Sequence, residues 1–141
     1  VPNVSQLAQE LGMSRATVMH YIKYLEEARL VNMIYGKGDE FPKKPARVLL
    51  HNSNLMYSFY PRCFDEHDVL ETFFCNTLWK DHKVYKHGSQ TCSFNIDQMY
   101  EFKIVEHATK LKSKSKALFA VNHSDIGTGN QIPLWLFGFL Y

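Results

Sequence analysis

Apolar residues recur every three or four positions in two stretches near the start of the chain, a spacing that predicts two amphipathic helices. The first stretch covers positions 4–11, and Asn3 together with Gln6 forms a capping box in front of it. Gly12 supplies the left-handed turn that ends this helix, and Ser14 caps the second helix. Two short helices joined by a turn with glycine are typical of a helix-turn-helix.

The same spacing predicts which side chains form the core of this motif. We expect one small core, distinct from a second core around Phe73, Phe74 and Phe102. Its members are predicted to be buried together: Leu7, Leu11, Val18, Ile22, Leu25 and Leu30.

After the second helix the apolar period changes from three or four to two, which predicts strands. Residues 31–35 alternate, residues 36–39 form a glycine-containing turn, and Arg47 to His51 resume as a strand. A two-stranded ribbon directly after the second helix is the wing of a winged helix. We therefore predict a winged-helix domain at residues 1–60.

The remainder of the chain reads as one further helix followed by strands. A short connecting helix or turn at residues 52–61 marks the predicted domain boundary, and a helix from Asp65 to Trp79 follows. The predicted strands after it are Val84 to Lys86, Thr91 to Ile96, Tyr100 to Val105 and Ala117 to Asn122. We predict a small α/β domain at residues 61–141, and an α+β fold class for the whole chain.

Composition places the chain among globular proteins and removes several kinds of enzyme. With 45% hydrophobic residues it is expected to fold. The odd number of cysteines and the absence of a signal-peptide pattern predict the cytoplasm, and the most apolar stretch, ten residues at 132–141, is too short for a membrane span. No phosphate-binding G-x-x-x-x-G-K-[ST] loop and no G-x-S-x-G nucleophile motif occurs in the sequence. The three cysteines have no metal-ligand spacing, so we predict no metal site.

Basic residues are slightly enriched in the winged-helix part, where residues 1–60 hold seven Lys/Arg and five Asp/Glu. The second helix of a helix-turn-helix enters the major groove, and its cationic and hydrogen-bonding side chains meet bases and phosphates. On the polar face of that helix and on the wing, the candidate DNA-binding residues are Arg15, Thr17, His20, Lys23, Tyr24, Lys43, Lys44 and Arg47. Two acidic residues, Glu26 and Glu27, follow on the same helix and leave a protein-docking role open.

Four stretches of the chain carry a family resemblance: residues 14–30, 51–59 (HNSNLMYSF), 71–78 (ETFFCNTL) and 132–141 (IPLWLFGFLY). They are similar to the C-terminal part of prokaryotic predicted AAA+ ATPases, especially the Bacteroides-type branch. The resemblance implies an ATPase module before the winged helix, and ATP and Mg²⁺ are expected only there. It also implies that the last domain resembles the restriction-endonuclease-like fold. The start of the chain at a helix cap, without a Met, agrees with a piece of a longer protein.

The resemblance further implies where nuclease residues would stand. Glu71 matches the acidic helix residue of that fold, which holds Mg²⁺ with an Asp and an E-x-K on adjacent strands. The strand Asp falls on Ser93, and the E-x-K falls on Lys103 and Val105, so the family site is expected to be inactive. A site shifted by two residues, made of Glu71, Glu101 and Lys103, is the alternative.

We therefore expect a non-catalytic regulatory or binding region of an AAA+ ATPase, with a winged helix that contacts duplex DNA. A protein-interaction module that docks the ATPase or a client is one alternative, and a residual metal-dependent nuclease is another. No cofactor is expected in this region. The predicted partners are double-stranded DNA and the ATPase module, and oligomers stay open.

Overall fold

The chain folds into helices on both faces of a mixed sheet. The structure is a computed structural model that describes residues 3–59, 65–88, 92–108 and 116–140. In chain order its elements are α1 (Val4–Glu10), α2 (Arg15–Glu27), β1 (Val31–Gly36), β2 (Arg47–Leu50), α3 (Ser53–Phe59), α4 (Glu66–Leu78), β3 (Val84–Lys86), β4 (Ser93–Ile96), β5 (Tyr100–His107), β6 (Leu118–His123), β7 (Gln131–Pro133) and a C-terminal 3₁₀-helix (Leu134–Leu140). The predicted α+β class and the N-terminal helix-turn-helix are confirmed.

Local capping signals account for the two N-terminal helices. The Asn3 side chain accepts a hydrogen bond from the backbone N–H of Gln6 at 3.1 Å. Gly12 has a φ of 64°, a left-handed conformation that side chains disfavour, and it ends the turn after α1. Ser14 Oγ then accepts from the backbone N–H of Thr17 at 3.1 Å. The predicted caps and turn are therefore present.

One sheet contains all seven strands of the described residues, in the order β2-β1-β3-β4-β5-β6-β7. The wing strands β1 and β2 are antiparallel, and β1 pairs in parallel with β3 through Tyr35–Tyr85 and Gly36–Lys86. Strands β3, β4 and β5 form an antiparallel meander, and β5, β6 and β7 are parallel. The pairing of β1 with β3 joins the sheet across the two predicted domains, whose boundary stays a prediction.

Two apolar cores lie on opposite faces of this sheet. Strand β1 contributes to both, because Met33 packs against α1 and α2 while Ile34 packs against α4. The helix-turn-helix core contains Val4, Ala8, Val18, Met19 and Met33. The larger core on the α4 face includes Ile34, Leu49, Phe74, Phe94, Phe102 and Phe137. The helix-turn-helix therefore has its own core, as predicted.

The predicted membership of that core is wrong at four positions. Leu25 is 43% exposed, and Leu7, Leu11 and Leu30 are exposed as well. Val18 is buried and Ile22 is partly buried, because they face β1 directly. No described residue covers these four leucines, which stay outside the helix-turn-helix core.

The second half contains the predicted helix and four strands, and it adds β7 and the C-terminal 3₁₀-helix, which were not predicted as such. Asp65 caps α4 by accepting from the His67 N–H at 3.3 Å. Strand β4 begins at Ser93, and the predicted start at Thr91 lies outside the described residues. In the C-terminal apolar segment Leu134 and Phe137 are buried, and Phe137 contacts Phe74 with 5.0 Å between ring centroids. This segment closes the core on the α4 face.

Candidate nucleic-acid interface

The N-terminal half of α2 presents an exposed polar surface. Arg15 and Thr17 are both exposed, directly after the Ser14 cap. Within the described part of the chain, Arg15 forms no ion pair, so its guanidinium is available to a ligand. A free guanidinium beside a hydroxyl can reach a phosphate or the edge of a guanine.

Two aromatic side chains continue this surface along α2. His20 is held in place, because its Nδ1 donates to the Ala16 carbonyl at 2.8 Å and its ring meets the edge of Phe41 at 5.3 Å. Tyr24 is 57% exposed and contacts Tyr21 edge to face. The contact of His20 with Phe41 also places the wing loop next to α2.

Lys23 is less available than the sequence suggests. Its Nζ donates to Glu26 Oε2 at 2.7 Å, while Glu26 Oε1 accepts the backbone N–H of Met33 at 3.0 Å. Glu26 therefore ties the lysine of α2 to the first wing strand and neutralises its charge. A DNA contact by Lys23 requires the loss of this ion pair.

The wing loop carries both signs of charge. Lys43 pairs with Asp39 at 2.7 Å, and the hydrogen bond and charge of Asp39 raise the pKa of Lys43. Lys44 is exposed. Lys37 is exposed in the turn between the wing strands, and it was not among the predicted DNA-binding residues. Its position between Gly36 and Gly38 predicts an exposed turn residue and could have identified it as a candidate.

Arg47 does not belong to this surface, and its prediction as a DNA-binding residue is wrong. Residues of β2 alternate between the sheet faces, and Arg47 shares the α4 face with Leu49. Its guanidinium forms ion pairs with Glu71 and, at 3.2 Å, with Asp68. The remaining predicted residues lie on α2 and the wing loop.

Glu71 is a buried structural carboxylate. It is 1% exposed, and its oxygens accept from Arg47 and from the backbone N–H of Cys92 at 2.6 Å. Lys86 lies on the same sheet face, over the Phe94 ring with its Nζ 5.2 Å from the centroid, and burial lowers its pKa. These contacts engage both carboxylate oxygens with protein donors.

The other residues of the shifted nuclease site lie away from Glu71. Phe102 and Ile104 face α4, so Glu101 and Lys103 project from the opposite face of β5. There Glu101 pairs with Lys103 at 3.7 Å and with His87 at 3.6 Å, and Ser93 is the strand partner of Lys103. The structure does not bring Glu71 together with Glu101 and Lys103. The described residues contain no cluster of three or more His, Cys, Asp or Glu suited to a metal.

The geometry defines a helix-turn-helix with a two-stranded wing, and a comparison with protein families agrees with this class. Residues 3–33 match the family model of the bacterial regulatory proteins of the arsR family. The match suggests DNA binding by this part of the chain. No curated protein and no solved structure matches the chain. None of the described helices is long and apolar enough to cross a membrane.

Proposed function

We propose that this chain is a cytoplasmic DNA-binding regulatory module. Helix α2 enters the major groove of duplex DNA, and the wing loop contacts the phosphate backbone. The observation that carries the proposal is the exposed first turn of α2, where Arg15 and Thr17 stand unburied after a formed cap. The arsR-family match over residues 3–33 supports it.

The distribution of charge predicts weak binding. Arg15, Lys37 and Lys44 are exposed cations, whereas Lys23 and Lys43 are paired with carboxylates. A module that neutralises about three phosphates has a slope of log K against log salt of about −3. We therefore expect micromolar affinity at low salt that falls steeply as salt rises.

Fluorescence anisotropy with a labelled duplex and the full chain tests this proposal. Arg15→Ala should weaken binding and reduce the salt slope by about 1. Lys116→Ala is the matched control, because Lys116 is an exposed cation directly before β6, four strands from β1 in the sheet. Absence of binding by the folded chain at low salt, or an equal loss in both variants, would refute the proposal.

For the second half we propose a non-catalytic scaffold of restriction-endonuclease-like ancestry. Support comes from Ser93, Lys103 and Val105 at positions where that fold carries its functional strand residues, and from the engagement of Glu71 by Arg47 and Cys92. We further propose that the chain is the C-terminal region of an AAA+ ATPase. On that proposal ATP and Mg²⁺ bind the upstream module, and this region has no cofactor of its own.

A second candidate function is docking of the ATPase module or a client protein. The number of exposed leucines on the helix-turn-helix favours it, because exposed apolar surface can mark a protein contact: Leu7, Leu11, Leu25 and Leu30. If the folded chain does not bind DNA in the anisotropy experiment, protein docking becomes the favoured function. Co-purification with the ATPase module, lost in Leu11→Lys, would support it.

A further inference from the structure

A cavity of about 580 Å³ lies where the C-terminal end of α2 meets the C-terminal end of α4. Its volume falls in the range of small-molecule sites. The side chains that matter for its chemistry are Glu27, Arg29, His51, Asn76, Trp79 and Lys80. None of them belongs to the surface of α2 and the wing loop described above.

Arg29 occupies a backbone position that normally requires glycine. The Leu30 N–H bonds the Leu25 carbonyl and the Arg29 N–H bonds the Glu26 carbonyl, each at 2.9 Å, which is the Schellman ending of a helix. Arg29 has a φ of 57°, where a side chain is disfavoured and glycine is the usual residue. An arginine at such a strained position points to a binding role for its guanidinium.

Lys80 provides a second cation at the cavity. Neither Arg29 nor Lys80 forms an ion pair within the described part of the chain. Glu27 is the one carboxylate of the lining without a cationic partner there, since Glu26 is paired with Lys23. Among the lining charges that have no ion-pair partner in the described residues, two cations therefore accompany one carboxylate, a balance suited to a monocarboxylate rather than to a polyphosphate.

Two hydrogen-bond acceptors accompany these cations. Asn76 is 9% exposed, and its Oδ1 is shielded from solvent without a donor among the described residues. His51 Nδ1 lies 2.8 Å from Asn32 Oδ1, and because an amide oxygen can only accept, Nδ1 carries the hydrogen. Burial, followed by the charge of Arg29, lowers the pKa of His51, so the ring is neutral near pH 7 and its Nε2 is an acceptor.

We propose that this cavity binds a small aromatic carboxylate that carries an amino or hydroxyl group. Arg29 and Lys80 bind the carboxylate, because a guanidinium offers it two parallel N–H donors. The indole of Trp79 packs against the aromatic ring. His51 Nε2 accepts from the amino or hydroxyl group, and Asn76 Oδ1 does so once its side chain turns toward the ligand. The assignment does not depend on the DNA-binding proposal.

Isothermal titration calorimetry of the full chain with 2-aminobenzoate tests the site. Benzoate, which lacks the donor, should bind about tenfold more weakly, and aniline, which lacks the carboxylate, should show no binding. Equal affinity for 2-aminobenzoate and benzoate would contradict the roles of Asn76 and His51. Absence of heat with 2-aminobenzoate at millimolar concentration would overturn the proposal.

Arg29→Gly is the decisive variant, because glycine suits the left-handed backbone and the protein should stay folded or gain stability. Its affinity for 2-aminobenzoate should fall by at least about tenfold. Lys116→Ala removes an equal charge outside the cavity lining and should leave the affinity unchanged. Retained affinity in a folded Arg29→Gly protein would refute the site.

Discussion

Arg47, at the start of the second wing strand, forms an ion pair with Glu71 of α4, 24 residues further along the chain. The pair therefore links the winged-helix half to the second half, on the sheet face that α4 covers. Glu71 is 1% exposed, whereas the other carboxylate on Arg47, that of Asp68, is 52% exposed. The two contacts of one arginine therefore differ mainly in burial.

That difference predicts unequal costs on removal of the two charges. Glu71→Gln should lower the free energy of unfolding by roughly 3 kcal/mol, because it removes the buried counter-charge of a partly buried guanidinium and leaves only the exposed carboxylate of Asp68. Asp68→Asn, the matched control on the same arginine, should cost less than about 1 kcal/mol, as exposed pairs do. Urea unfolding followed by circular dichroism measures both. Equal effects would show that burial does not govern this cluster.

The helix-turn-helix core allows a second comparison of matched positions on α2. Val18→Ala should destabilise by about 2 kcal/mol, because the side chain is fully enclosed. Leu25→Ala should cost less than about 1 kcal/mol, although more atoms are removed, since 43% of Leu25 is already exposed. Thermal unfolding of the two variants gives the order. A larger effect at Leu25 would indicate that a partner covers this flank in solution.

Capping residues and apolar spacing were sufficient to predict α1, α2, α4 and the wing, because these signals are local. Arg47 was misassigned because the sequence Arg-Val-Leu-Leu does not reveal which sheet face each residue of a strand takes. Leu25 was misassigned because the spacing locates a stripe but not its width, which depends on what packs against it. The pairing of Tyr35 with Tyr85 is a contact between distant residues, and no local pattern encodes it.

The chain should not cleave DNA. Glu71 is engaged by Arg47 and Cys92, and Glu101 and Lys103 lie on the other face of the sheet, so the carboxylates of Glu71 and Glu101 are not brought together to hold Mg²⁺. Plasmid incubated with the chain and Mg²⁺ or Mn²⁺ should stay supercoiled. Cleavage that disappears in Glu101→Gln would reinstate the shifted site.

Cys92 should be unreactive in the folded protein. Burial, followed by the negative charge of Glu71, raises the pKa of Cys92 to about 11. Only about one thiol in a thousand is then ionised at pH 8, and the thiolate is the reactive form. In a Cys63→Ser background, which removes the third cysteine, a disulfide reagent should label the native protein slowly and the unfolded protein at two sites.

Rapid labelling of the native Cys63→Ser protein would contradict this expectation. Glu71→Gln provides the complementary check, because loss of the carboxylate charge should lower the pKa of Cys92 and speed its labelling. Cys75 is fully buried, and burial, followed by the charge of Glu71, raises its pKa as well. Because burial is the main cause and remains in Glu71→Gln, the second thiol should stay slow in both proteins.

The parallel pairing of β1 with β3 predicts how the two halves of the chain would behave if they were expressed separately. A cut near residue 60 would remove the parallel strand partner of Tyr35 and Gly36 on one piece. On the other piece it would leave Tyr85 and Lys86 with only their β4 neighbours. Each half would then expose a strand edge with unpaired backbone N–H and C=O groups, and such edges pair with strands of other molecules. Each half expressed alone is therefore expected to self-associate or precipitate, whereas mixing the two should restore solubility.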